Sequence, residues 1–178
     1  VFARPTNILL VVPLAWHVVR KHDAERAPFL VLLAVPMLIM TWYSWDILGS
    51  FTALGQGQRM RIGKDPLEGL AGLLVSPARG LFVFTPVLLM ALLALPQSWA
   101  RDTRFPLLRP LLAGALAIIG VHALWHVWWG GVTYGYRLLI ETLPAFMLLL
   151  AVAWETQIRG HPRRVATAGV LLVLSIWT

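Results

Sequence analysis

Six apolar segments separated by polar connectors constrain this chain more than any other feature. A helix that crosses a bilayer needs about 20 predominantly apolar residues, and segments of this length suit helices rather than strands. The chain is 58% hydrophobic and 13% charged, whereas soluble domains are about 45–50% apolar and about 25% charged. We therefore predict an all-α fold, a polytopic transmembrane helical bundle of about six spans: Asn7–Val19, Phe29–Trp45, Leu81–Pro96, Leu111–Trp129, Leu138–Trp154 and Val165–Trp177.

The two ends of the sequence and its lack of cysteine add to this expectation. The sequence opens at Val1 without a methionine and stops at Thr178, at the end of an apolar run. Cysteine is absent, so neither a disulfide nor a cysteine metal site is predicted. We expect residues 1–178 to form one transmembrane region that belongs to a longer polytopic protein.

Basic residues cluster in alternate connectors, which predicts the orientation of the spans. Cytoplasmic loops carry an excess of Lys and Arg, and this topology accounts for the net charge of +7 without a nucleic-acid partner. Residues 46–80 and 130–137 are then expected on the outer face. The three predicted cytoplasmic connectors, residues 20–28, 98–109 and 155–164, hold nine of the fifteen Lys and Arg residues: Arg20, Lys21, Arg26, Arg101, Arg104, Arg109, Arg159, Arg163 and Arg164.

The first outer connector contains a predicted short helix. Asp65 is placed as an N-cap, Pro66 suits the first helical position, and Glu68 lies three residues after the cap. We predict a helix from Pro66 to about Val75, too short to cross and either lying at the membrane interface or re-entering the membrane. The sequence SPARG then forms a turn that places Arg79 ahead of the next helix N-terminus, where anions are favoured.

The outer face carries more positive charge than this topology needs. This excess indicates an anionic partner such as a lipid phosphate, although contact with membrane lipid headgroups or pairing with Asp46, Asp65 and Glu68 is the alternative. Glu141 follows Arg137 by four residues and is its expected partner, either as a structural pair or to orient Arg137. The basic residues of the predicted outer face are Arg59, Arg61, Lys64, Arg79 and Arg137.

Two histidines and the tryptophans are further candidates. His122 and His126 are four residues apart, on one predicted helix face, a spacing that suits a metal or an axial haem or chlorophyll ligand. No third ligand is evident, so hydrogen bonding to backbone or to each other is the favoured role of the two histidines, and no cofactor is assigned. Trp125, Trp128 and Trp129 are predicted to anchor a helix at the interface, with sugar stacking as an alternative.

Two segments carry a family resemblance. GLLVSPARGLFVFTPVLLMALLAL together with WWGGVTYGYRLLIETLPAFMLLL resembles the later transmembrane helices of bacterial GT-C-type membrane glycosyltransferases, which are related to dolichyl-phosphate-mannose–protein mannosyltransferases. The resemblance implies transfer of a sugar from a polyprenyl-phosphate carrier on the extracytoplasmic face of the bacterial inner membrane. In that family the catalytic acid lies in an early outer loop that precedes this sequence, so no catalytic residue is assigned.

The same resemblance implies which residues contact the carrier phosphate. Arg79 and Arg137 would be the main contacts, with Glu141 beside Arg137 and with Arg59, Arg61 and Lys64 as secondary candidates. The competing hypothesis is a structural or accessory transmembrane subunit of a larger membrane complex, in which His122 or His126 could hold a pigment or haem. A transporter for a lipid-linked substrate would share the basic outer loop.

Overall fold

A computed structural model describes residues 5–21, 26–48, 62–63, 65–99, 105–130 and 135–177. Within these ranges the chain is helical, and the one strand-like contact is an isolated antiparallel bridge between Ile62 and Trp125. The predicted all-α class is confirmed.

Most of the described chain belongs to helices of unequal length. Three 3-10 segments, Pro5–Asn7, Pro86–Ala94 and Arg137–Thr142, and one π turn, Trp154–Ile158, adjoin the α-helices. The α-helices are α1 (Ile8–Lys21), α2 (Arg26–Leu48), α3 (Pro66–Val75), α4 (Leu81–Phe84), α5 (Leu95–Trp99), α6 (Leu108–Leu124), α7 (Leu143–Ala153) and α8 (Pro162–Trp177).

Two helical stretches are long and apolar enough to cross a membrane by length and composition. They are Arg26–Ile47 and Arg137–Ile158, whereas Pro66–Val75, Pro86–Trp99 and Leu108–Leu124 are shorter apolar helices. Six full-length spans are therefore not supported by the described residues.

Local backbone breaks explain why two predicted spans are shorter than expected. In the third, Thr85 leaves the helical conformation (φ −134°, ψ 65°) immediately before Pro86, and the chain continues as a 3-10 helix. Proline lacks the N–H that an α-helix needs at this point. The fourth ends at Leu124, because Trp125 adopts an extended backbone (ψ 132°) and pairs with Ile62.

The hydrophobic core lies around α6, α7 and the 3-10 helix Pro86–Ala94. Its fully buried side chains include Leu88, Leu108, Ile118, Leu139 and Leu149. Helix α6 packs against α1, α3 and α7, while α8 packs against the 3-10 helix. This arrangement makes α6 the central helix of the described fold.

Helices α2 and α8 leave wide apolar surfaces uncovered. Only 6% of the most apolar window of α2 is buried, and Leu32 is 75% exposed. On α8, Ile176 and Trp177 are 78% and 88% exposed. Apolar surfaces of this extent are typical of contact with lipid or with another protein. Helix α2 is therefore not a buried core helix of the described fold.

The connectors gather at the two ends of α6, which is about 25 Å long at 1.5 Å per residue. At its N-terminal end, the Arg109 side chain donates to the Ser98 and Trp99 carbonyls, and the Thr156 hydroxyl donates to the Gln97 side chain. At its C-terminal end, the Gly63 amide donates to the Leu124 carbonyl. We call these the basic end and the aromatic end.

The described parts of the three predicted cytoplasmic connectors all lie at the basic end. Arg20 and Lys21 line one cleft together with Arg109. Arg164 donates to the Gln157 carbonyl, and the Gln157 side chain donates to the Leu93 carbonyl. This grouping agrees with a common side for the three connectors, while the assignment of that side to the cytoplasm stays a prediction.

Candidate functional site

Helix α3 has the predicted start, end and cap. The Asp65 carboxylate accepts hydrogen bonds from the Leu67 amide at 2.9 Å and the Glu68 amide at 3.3 Å. Pro66 occupies the first turn, and the helix ends at Val75. The predicted bounds and cap of α3 are confirmed. They could be predicted because these interactions connect residues close in sequence.

Two glycines let α3 lie against the aromatic end of α6. A Cβ added at Gly69 would overlap the Ala123 carbonyl, and one added at Gly72 would overlap the Trp128 ring. The opposite face of α3 is apolar and exposed, with Leu67 75% and Leu70 37% exposed. The sequence analysis missed this packing, although the spacing of the glycines in PLEGLAGLLV carries the signal.

The turn that carries Arg79 contacts the segment that carries Arg137. In the turn, the amides of Arg79 and Gly80 donate to the Ser76 carbonyl at 3.3 Å and 2.7 Å. The Gly135 amide, two residues before Arg137, donates to the Ala78 carbonyl at 3.1 Å. The fold thus brings together two basic segments that are distant in sequence.

A contact between two aromatic rings also joins the segment after the Arg79 turn to the segment that carries Arg137. The Phe84 and Tyr136 rings lie with their centroids 6.3 Å apart, and the buried Leu139 fixes the start of the 3-10 helix Arg137–Thr142. Gly135 has a φ of 81°, a left-handed conformation that glycine adopts without steric cost. Glycine is therefore suited to this position.

Arg79 has the most informative polar atom at this end. Its side chain is partly buried, and its Nη1 atom is buried with no hydrogen-bond acceptor among the described residues. A buried donor without an acceptor is costly, more so when it belongs to a charged group. Arg137 lies exposed beside the contacting segment. A phosphate oxygen would satisfy Arg79, because a guanidinium fork matches phosphate geometry.

The expected contribution from helix N-termini is small. Helix α4, which follows Arg79, has four residues, and Arg137 begins a six-residue 3-10 helix rather than an α-helix. A helix dipole is the sum of aligned peptide dipoles, so one turn supplies little of it. The expectation of a long α-helix immediately after Arg79 is therefore wrong, and a helix N-terminus would add little to any anion binding at Arg79 or Arg137.

The remaining predicted phosphate residues divide into two groups. Arg59, Arg61 and Lys64 lie outside the described residues. Glu141 is half-buried on the 3-10 helix. Both Glu141 and Arg137 have interaction partners in the structure, and their pairing with each other stays a prediction.

The expectation that His122 and His126 share a helix face is wrong. His122 is 4% exposed, and its Nδ1 lies 2.9 Å from the Ile118 carbonyl oxygen. Because α6 ends at Leu124, His126 lies in the following turn, where it is exposed. Within the described ranges, no group of three His, Asp or Glu side chains could hold a metal. The contact of His122 Nδ1 with the Ile118 carbonyl oxygen is the kind of backbone bonding that the sequence favoured.

The tryptophans of this end mostly pack against the protein. Trp128 lies against Gly72 and meets Trp129 edge-to-face at 5.8 Å between ring centroids, and the Trp125 ring lies 6.3 Å from that of His122. Trp129 remains 42% exposed, which leaves it as the ring best placed for interfacial contact.

Comparison of this chain with known proteins identified no relative. No protein-family model, curated protein or solved structure matches this chain.

Proposed function

We propose that this chain is part of an integral membrane glycosyltransferase-like protein of the bacterial inner membrane. The protein would transfer a sugar from a polyprenyl-phosphate carrier on the extracytoplasmic face, and the aromatic end would contact the carrier phosphate. Arg79 and Arg137 are the proposed phosphate contacts. The catalytic carboxylate would come from sequence outside residues 1–178.

Membrane embedding is supported by the exposed apolar surfaces. Water would face the uncovered leucines and valines of α2 and α8 unless lipid or a partner covered them. The apolar outer face of α3 suits a helix at the bilayer interface.

Residues 1–178 contain no cysteine, so single cysteines introduced there, in a full-length protein freed of any other cysteine, test this placement. Pro77→Cys at the aromatic end and Gly160→Cys at the basic end change exposed positions. In intact cells with a permeabilised outer membrane, a membrane-impermeant maleimide should label Pro77→Cys but not Gly160→Cys. Both variants should react after the inner membrane is opened. Labelling of both in intact cells would contradict the proposed topology.

The single observation that carries the phosphate role is the buried Nη1 of Arg79 in a turn that contacts the Arg137 segment. Two cationic segments meet there at the end of the bundle. A lipid-linked phosphate would supply the missing acceptor while its chain stayed in the bilayer. The exposed Arg137 could then close on the same phosphate from the adjoining segment.

Carrier binding by the full-length protein in detergent tests this role. A charge-assisted hydrogen bond contributes about 1.5–3 kcal/mol, so Arg79→Gln should weaken polyprenyl-phosphate binding by about tenfold or more. Arg163→Gln, an exposed arginine at the basic end, is the matched control. Native mass spectrometry would report both affinities. Equal binding by the wild type and both Arg79→Gln and Arg137→Gln would exclude the proposed phosphate contacts.

A second candidate function is an accessory subunit of a larger membrane complex. The uncovered apolar faces of α2 and α8 favour it, because partner helices could cover them as well as lipid could. The helix-face argument for joint ligation by His122 and His126 no longer applies, since His126 lies beyond α6, and a pigment or haem held by one of the two histidines stays a prediction. Co-purification of a stoichiometric membrane partner, together with unchanged carrier binding in the Arg79 variant, would favour this function.

A further inference from the structure

A cleft at the basic end is separate from the proposed carrier site. It has a volume of about 500 Å³ and lies between the last turns of α1 and the first turns of α6. Small-ligand sites have volumes of about 300–1,000 Å³, so the cleft can hold a headgroup-sized molecule. Its chemically active lining residues are Trp16, His17, Arg20, Lys21 and Arg109.

The charge of this cleft favours an anion. Arg20, Lys21 and Arg109 bring three cations to one concave surface, and no acidic side chain is among the described residues that line it. Arginine and lysine are the side chains that most often bind phosphate oxygens. The ligand class indicated by the lining is therefore a phosphate.

Two of the cations are held in position before any ligand arrives. The Arg20 guanidinium carbon lies 4.0 Å from the centre of the Trp16 ring, a cation–π contact. Arg109 donates through Nε and Nη2 to the Ser98 and Trp99 carbonyls, each at 3.0 Å. Side chains that are already ordered lose less conformational entropy when a ligand binds, so binding costs less free energy.

An apolar groove continues from the cleft along α1. This groove has a volume of about 480 Å³ and is lined by Val12, Pro13, Ala15, Trp16 and Val19. Pro13 and Trp16 line both spaces, so the basic and apolar surfaces meet. A ligand that fills both must carry a phosphate at one end and a hydrocarbon chain at the other.

We infer that the basic end binds an anionic phospholipid, with the headgroup phosphate in the cleft and an acyl chain along the α1 groove. A soluble phosphate would explain the cations but would leave the adjoining groove empty. A zwitterionic lipid would fill the groove but would bring its own cation towards Arg20 and Lys21. Basic pockets between membrane helices are suited to anionic headgroups.

Native mass spectrometry of the full-length protein, titrated with phosphatidylglycerol, phosphatidylcholine or glycerol phosphate, tests this inference. We expect phosphatidylglycerol to bind about tenfold more tightly than either comparison ligand. The double variant Arg20→Gln/Lys21→Gln should lose this preference, and Arg163→Gln at the same end should keep it. Arg20 and Lys21 are exposed, and retention of the wild-type melting temperature would show that the double variant is folded.

A groove variant separates the lipid from other sources of phosphate. Ala15→Phe would fill the apolar groove and should weaken phosphatidylglycerol binding several-fold without removing a charge. Equal affinity for phosphatidylglycerol and phosphatidylcholine would overturn the inference, and so would glycerol phosphate binding as tightly as the lipid. Arg79→Gln should leave this binding unchanged, so failure here is distinguishable from failure of the carrier site.

Discussion

The two ends of α6 present cations in different ways. At the aromatic end, glycines and tryptophans pack closely, and Arg79 has a buried donor without an acceptor among the described residues. At the basic end, Arg109 is hydrogen bonded to carbonyls and Arg20 lies over Trp16. The aromatic end is a close-packed turn, and the basic end is an open cleft in which two of the cations are already held in position. We therefore expect substitutions to affect stability strongly at the aromatic end and weakly at the basic end.

The largest expected effect is at Gly69. Gly69→Ala should lower the free energy of unfolding by about 2 kcal/mol, because overpacking a close contact costs about 1–3 kcal/mol and the Cβ would overlap Ala123 backbone atoms. Unfolding of the detergent-solubilised protein, followed by circular dichroism, measures it. Gly120→Ala on α6 is the matched control, since no described atom lies within 4 Å of its added Cβ. That control should stabilise the helix by about 0.5–1 kcal/mol, and equal loss in both variants would remove the packing explanation.

A smaller effect is expected at Gly135. Its φ of 81° is unfavourable for a residue with a Cβ, so Gly135→Ala should destabilise by about 1–2 kcal/mol. Because no described atom lies within 4 Å of the added Cβ, the loss would be conformational rather than steric. Gly135→Asn should recover part of it, since asparagine tolerates this conformation. The same unfolding assay measures both variants. If the alanine variant were more stable than the asparagine variant, backbone conformation would not be the cause of the loss.

The cap of α3 should contribute about as much as one ordinary N-cap. Asp65→Ala removes the acceptor for two amides and should cost about 1 kcal/mol. Asp65→Ser keeps a capping oxygen and should retain most of the stability. Hydrogen exchange of the Leu67 and Glu68 amides would report the loss locally, and unchanged protection in Asp65→Ala would show that the cap does not hold this turn.

The smallest effect is expected at the basic end. Arg159 and Glu155 form an ion pair at 3.4 Å, with side chains 72% and 61% exposed. Exposed pairs contribute about 0–1 kcal/mol, so Glu155→Gln should change the free energy of unfolding by less than about 0.5 kcal/mol. A loss equal to that of Gly69→Ala would break the proposed contrast between the two ends.

Sequence reasoning predicted short-range features better than long-range ones. The bounds and cap of α3 were predictable because Asp65, Pro66 and Glu68 act within one turn. The break of the third span at Pro86 had a visible cause, since proline removes a helix donor. The end of α6 had no visible cause in the sequence, because Trp125 leaves the helix to pair with Ile62, which is distant along the chain.

The candidate site shows the same division. Sequence singled out Arg79 and Arg137 by their residue type and position between apolar segments. It could not show that the Ala78 carbonyl accepts from the Gly135 amide, or that Arg79 Nη1 is buried. His122 and His126 had a suitable spacing, but that spacing had meaning only if α6 continued past Leu124.

The amino-acid sequence accounts for the helical class, the apolar segments and the local structure of α3. These properties follow from composition and from interactions between residues a few positions apart. Tertiary structure alone decided which basic segments meet, where α6 ends, and how the cleft joins the apolar groove on α1. Each of these depends on packing between distant segments, and the same local sequence could meet a different neighbour in another fold.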